Sequence, residues 1–148
     1  MTRMKMRLFA LPLAASLAVA ACAAPQAAGG SAAAPIEGTS WVLTELHGAP
    51  PVPVEGGPPT LEFTQGPSQA NGFTGCNRFS GPYQRSSDSL RIGPLVATQR
   101  ACLEEAANAQ EVAYARVLEV TTRYAVSGDV LALYADEQLV AQLRRTGR

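Results

Sequence analysis

Histidine is nearly absent from this 148-residue chain, which carries only His47, and lysine is missing after Lys5. Each scarcity closes off a chemistry. A zinc site draws on about four Cys, His or carboxylate ligands at recognisable spacing. Beyond residue 22 the chain offers only Cys76, Cys102 and His47 as sulfur or imidazole donors. A Cys–His nucleophile pair or a Ser-His-Asp triad would have to use that one imidazole, and no G-x-S-x-G elbow accompanies it. Gly72, Gly75 and Gly81 are spaced for turns, not as a phosphate loop or dinucleotide fingerprint. Nine arginines face twelve acids after residue 22, a balance of −3 with no basic stripe, which argues against nucleic acid as a partner. The Arg144, Arg145 and Arg148 cluster reads as a solvated terminus. No cofactor is implied, and no metal.

What is present begins with MTRMKMR, basic and free of acid, followed by the apolar run LFALPLAASLAVAA over residues 8–21. This is the layout of a secretory signal. The run is short for a membrane-spanning helix, is broken by Pro12 and lacks a basic flank after it. It closes on Val19-Ala20-Ala21-Cys22, which resembles a bacterial lipoprotein signal: residues 1–21 would be removed and Cys22 acylated, for instance with palmitate. Each buried CH₂ contributes about 0.8 kcal/mol, so more than one chain makes the anchor stable. Ala23 in place of Asp resembles the outer-membrane sorting pattern, with the domain facing the periplasm. Residues 22–35 have no charge and no aromatic side chain, and read as a flexible tether.

A single domain is expected over residues 36–145, in a chain of this size. Residues 40–47, SWVLTELH, alternate as a strand, with Trp41, Leu43 and Glu45 on one face. Residues 48–59 hold five prolines and three glycines and form an irregular loop. Further strands are expected at 60–63, 70–74, 79–85, 90–92, 123–126, 130–134 and 138–143. Between them, Leu103, Ala106, Ala107, Ala113, Tyr114, Val117 and Leu118 recur at helical spacing over residues 103–121. The fold class is mostly β with one helix (α+β): a small curved antiparallel sheet or partial barrel of seven or eight strands, packed on one amphipathic helix.

The stretch NGFTGCNRFSGPY at residues 71–83 concentrates glycine, asparagine and aromatic residues around Cys76. In an exported chain, Cys76 and Cys102 pair most simply as a disulfide. A thiol nucleophile served by His47 and a metal-ligand role are the competing readings. Phe73, Phe79 and Tyr83 would alternate into the core, Gly75 and Gly81 would allow positive φ or a close backbone approach, and Asn71, Asn77, Arg78 and Ser80 would face a ligand. An apolar-ligand carrier would instead need an internal cavity lined by Trp41, Phe63, Phe73 and Phe79.

GTSWVLTELHG, PTLEF, the GCN turn leading to G-x-Y, LRIGPLVATQRAC and QEVAYARVLEVTTRYAVSGDVLALY, taken in that order, resemble the META domain family of HslJ-like heat-shock lipoproteins. Gln99 and the proline-rich first loop are mild departures. The resemblance implies a compact lipocalin-like β fold with one helix. Members are commonly envelope lipoproteins tied to stress, and the family names a fold and a location more than a reaction. The chain is accordingly expected to be a monomeric, non-enzymatic lipoprotein, held to the membrane by its lipid and meeting an envelope protein or peptide.

Overall fold

The computed structural model describes residues 35–100 and 102–146. The expected signal, Cys22 and the tether up to residue 34 lie outside the described residues. Ten elements follow in chain order: β1 Ser40–Leu46, β2 Thr60–Phe63, β3 Gln69–Phe73, β4 Arg78–Ser86, β5 Ser89–Ile92, β6 Val96–Ala97, α1 Glu105–Val120, β7 Arg123–Ser127, β8 Val130–Ala135 and β9 Gln138–Thr146. All ladders between these strands are antiparallel, in the order β3-β2-β1-β9-β8-β7-β5-β4-β6. Because β3 also pairs with β4, the first eight close into a ring, and β6 lies on the remaining edge of β4.

Local chemistry explains the tight meander. Ser87, Gly128 and Asp136 each hold the first central position of a two-residue hairpin, with φ of 54°, 58° and 53°. Positive φ there gives the primed turns whose twist matches that of the flanking strands. Inward positions fill the ring: Trp41, Leu61, Phe63, Leu131, Leu133 and Leu143 are all fully buried. The helix completes this core with Tyr114, Val117 and Leu118. The Tyr114 ring meets Phe79 edge-on at 6.2 Å, and its hydroxyl donates to the Thr60 carbonyl at 3.3 Å.

The closing seam is the β5–β7 join. It has one registered pair, Ser89 with Arg123, flanked by Leu90 N–H to Thr122 O and Tyr124 N–H to Asp88 O. Arg85, near the end of β4, spans it by donating to the Tyr124 hydroxyl at 3.0 Å while pairing with Glu37 at 2.9 Å. Tyr83 also donates to Glu37, at 3.2 Å.

Five expectations need correction. The sheet has nine strands among the described residues, because β6 was not foreseen. The helix begins at Glu105, and Leu103 and Ala106 lie exposed outside its buried stripe, which holds Gln110 instead. Asn108 reaches back to bond both the N–H and the C=O of Cys102, which fixes where the helix starts. Phe73 points away from the core, since Ala70 and Gly72 take the inward positions of β3 and Phe79 covers Gly72. Arg144 and Arg145 belong to β9, with Arg145 stacked 5.2 Å from the Trp41 ring.

Burial works to raise the Glu37 carboxyl pKa, but its own backbone N–H, the Arg85 guanidinium and the Tyr83 hydroxyl outweigh burial and hold it below the ordinary value. Folding therefore favours the ionised form. Its contribution is present above the ordinary carboxylate pKa and is lost as pH falls through the depressed one. Between about pH 6 and about pH 3 the wild type should lose a stability increment that Glu37→Gln lacks. Urea midpoints measured across that range check this, and parallel pH profiles would contradict it.

Candidate functional site

The turn joining β3 to β4 is Thr74-Gly75-Cys76-Asn77. Gly75 takes φ of 111°, and a Cβ there would lie 3.1 Å from Val54 Cγ2, so the position suits glycine on both counts. Thr74 and Asn77 close the turn through Thr74 N–H to Asn77 O and Asn77 N–H to Thr74 Oγ1.

Asn77 is 3% exposed, and its amide makes every bond available to it. Nδ2 donates to the Arg100 carbonyl at 2.8 Å and to Glu111 Oε1 at 2.6 Å; Oδ1 accepts from Thr98 Oγ1 at 2.8 Å and from Arg100 N–H at 2.7 Å. One side chain thus ties the hairpin turn to the segment before the helix and to the helix itself. Beside it, Cys76 and Cys102 form a disulfide with a Cα–Cα distance of 5.6 Å. Glu111 Oε2 stands 3.5 Å from Cys102 Sγ. A small cavity of about 160 Å³ opens at the disulfide, walled by Val54, Phe73, Arg100 and Leu103.

The larger concavity lies on the outer face. Strand registers align Ser40, Glu62, Asn71, Ser80 and Val96 side by side across β1, β2, β3, β4 and β6. With Thr60, Arg78 and Thr98 they line a groove of about 610 Å³. Hydroxyls, one amide and charges of both signs make it a hydrogen-bonding surface. Its rim is β6, where Val96 is 68% exposed. Thr98 N–H bonds to Arg78 O, so in the alternating antiparallel pattern Ala97 directs its N–H and C=O away from β4.

Three of the four residues expected to face a ligand, Asn71, Arg78 and Ser80, line this groove together. Asn77 does not, because its amide is turned inward and committed to four bonds. The carrier's cavity is not formed by its expected lining: Trp41, Phe63 and Phe79 are packed into the core and Phe73 is on the other face. His47 sits in the exposed turn after β1, with its N–H on Val140 O, and both sulfurs of the Cys pair are bonded to each other. Sequence reasoning missed Glu111 and Gln110. The latter clamps the proline-rich loop by accepting from Val52 N–H at 2.6 Å and donating to Val52 O at 3.3 Å. The available signal was a pair of polar residues on the inner side of the helical wheel.

Asn77→Asp preserves the shape of the side chain but removes both donors and sets a second carboxylate against Glu111. Asn77→Ala removes all four bonds. Each should destabilise the fold by about 2–4 kcal/mol, whereas Asn71→Asp in the groove should stay within about 0.5 kcal/mol. Denaturant unfolding checks this, and equal effects at positions 71 and 77 would contradict it.

Comparison with known proteins agrees with this architecture. An NMR structure of a protein from Burkholderia xenovorans is similar, with a TM-score of 0.63 and 27% identity, over 84% of this chain and 100% of that one. A second NMR structure, 23% identical, covers 74% of this chain and 90% of its own length with a TM-score of 0.60, a likeness of fold. A search of curated proteins finds no match to the chain. The model of the META domain matches residues 34–147, which takes in both the disulfide corner and the groove, and the chain therefore belongs to the META domain family.

Proposed function

We propose that this META-domain protein is a bacterial envelope lipoprotein, anchored through acylated Cys22 to the outer membrane and facing the periplasm. It acts by binding an extended segment of an envelope protein rather than by catalysis. The observation that carries the reading is the outer edge of β6 at the rim of the polar groove, which has no strand partner among the described residues. An incoming strand would pair with the outward N–H and C=O of Ala97 and point its groove-side residues past Val96 toward Arg78 and Ser80 of β4, two strand spacings (about 10 Å) away, within reach of long side chains. The packed core supports a role on the outer surface, and the signal-like first 22 residues support the location. The link to envelope stress rests on the family resemblance.

A photo-crosslinking side chain at Val96, 68% exposed, should trap an envelope protein in intact cells, while one at Val112, 70% exposed on the helix, should not. Ala97→Pro should abolish the Val96 adduct without loss of stability, since the N–H it removes is not used by the β4 ladder and proline is tolerated on an edge. Adducts of equal yield at both positions, or an adduct insensitive to Ala97→Pro, would contradict the proposal. Intact mass of the mature chain should show acylation at Cys22, lost in Cys22→Ser.

A further inference from the structure

We propose that the dithiol form of this chain binds a soft divalent cation of the zinc class through Cys76, Cys102 and Glu111, a site that exists only while the disulfide is open.

Glu111 is already oriented as a ligand would be. Asn77 fixes one of its carboxylate oxygens at 2.6 Å, which leaves the other aimed at Cys102 Sγ, 3.5 Å away. Within the disulfide neither sulfur carries a proton, so this second oxygen faces a sulfur with nothing to share. The two sulfurs and the carboxylate oxygen all lie within 4.8 Å of one another. Tetrahedral zinc with ordinary Zn–S and Zn–O lengths sets sulfur–oxygen edges at about 3.6 Å and sulfur–sulfur edges at about 3.8 Å. The first is already the distance seen between Cys102 Sγ and Glu111 Oε2, and Cys76 Sγ lies within 4.8 Å of the carboxylate. The second needs only rotation of the two cysteine side chains, whose Cα atoms are 5.6 Å apart.

The surroundings are those of a metal ligand. A coordinating carboxylate is oriented by a hydrogen bond to its other oxygen, and Asn77 supplies that bond while its remaining three anchor it to the backbone of Arg100 and to Thr98. Both cysteines line the cavity of about 160 Å³ beside the disulfide, which has room for a water as the fourth ligand. Opening requires a dithiol reductant: its two thiols become a disulfide, the Cys76–Cys102 bond breaks, and both cysteines gain a proton. The cation then displaces those two protons, which makes binding stronger as pH rises. Disulfide and metal are thus alternative staples for the same two segments.

The test uses the mature chain, reduced and kept under an inert atmosphere, titrated with Co²⁺ and then with Zn²⁺. Reduced wild type should take up one Co²⁺, with a thiolate-to-metal charge-transfer band that Zn²⁺ bleaches. Zn²⁺ should raise the thermal midpoint of the reduced chain and leave that of the oxidised chain unchanged. Glu111→Gln keeps a carbonyl for Asn77 and should weaken binding at least about tenfold. Cys76→Ser should abolish the charge-transfer band at the same Co²⁺ concentration. Equal affinity in wild type and Glu111→Gln would overturn the site, and is also what an unfolded dithiol chain would give; far-UV dichroism of the reduced chain identifies that case. Absence of the band in reduced wild type would overturn it as well.

Discussion

One buried amide holds the working corner of this molecule together. Asn77 has no capacity left over: two donors and two acceptors are all engaged, with the segment before the helix, with the helix and with Thr98. In a low-dielectric site each bond is strengthened, and each would be costly to leave unmade. The short turn places this side chain at the start of β4, so the hairpin, the β6–α1 connection and the helix are registered against a single point. The disulfide repeats the connection covalently one residue away. In the chain-entropy model, closing a loop of 26 residues contributes roughly 3–4 kcal/mol.

Closure of the sheet decides where function can reside. A ring of eight strands has a narrow interior, and here Trp41, Phe63, Tyr114 and Tyr124 are the largest of the fully buried side chains that fill it. The helix covers the start of β2 and β4, and the Glu37–Arg85–Tyr83–Tyr124 cluster ties their opposite ends across the seam. What remains open is the outer face. β6 is the piece that does not fit the ring, and its outer edge, beside a polar groove, has no strand partner among the described residues. A free sheet edge is ordinarily blunted by charge or shortness; this one is short, two residues, but carries no charge of its own and is bordered by residues that hydrogen-bond.

Much of this was legible in the sequence because it depends on local pattern. Alternation placed eight of the nine strands to within a residue or three at each end, and turn chemistry placed the hairpins. Two cysteines left over in a chain whose first residues read as an export signal pointed to the 76–102 pairing. The failures share a physical cause. Val96 and Ala97 are too few to produce a period, and they form a strand only because β4 offers its edge. Alternation along the stretch counts Phe73 with Phe79 and Tyr83 in the core, but the turn at residues 74–77 separates them and the register of Phe73 beside Gly72 puts it outside; a bare Gly72 is what lets Phe79 approach there, since a Cβ would come 2.5 Å from that ring. Leu103 fits the helical spacing but falls before the point where Asn108 starts the helix, and it is 96% exposed. The roles of Asn71 and Asn77 could not be separated by composition, because one faces solvent and the other is sealed by contacts from Arg100 and Glu111, distant in sequence.

The central claim is that Asn77 and the adjoining disulfide clamp the helix and the segment before it onto a ring that is otherwise self-sufficient. Amide hydrogen exchange on the oxidised and the reduced chain tests this most directly. The account predicts that reduction lowers protection over the segment from Thr98 to the first turns of the helix, while the β1, β8 and β9 ladders keep theirs. Uniform loss of protection across all strands would contradict it, because the staple would then be holding the whole fold and not one corner of it.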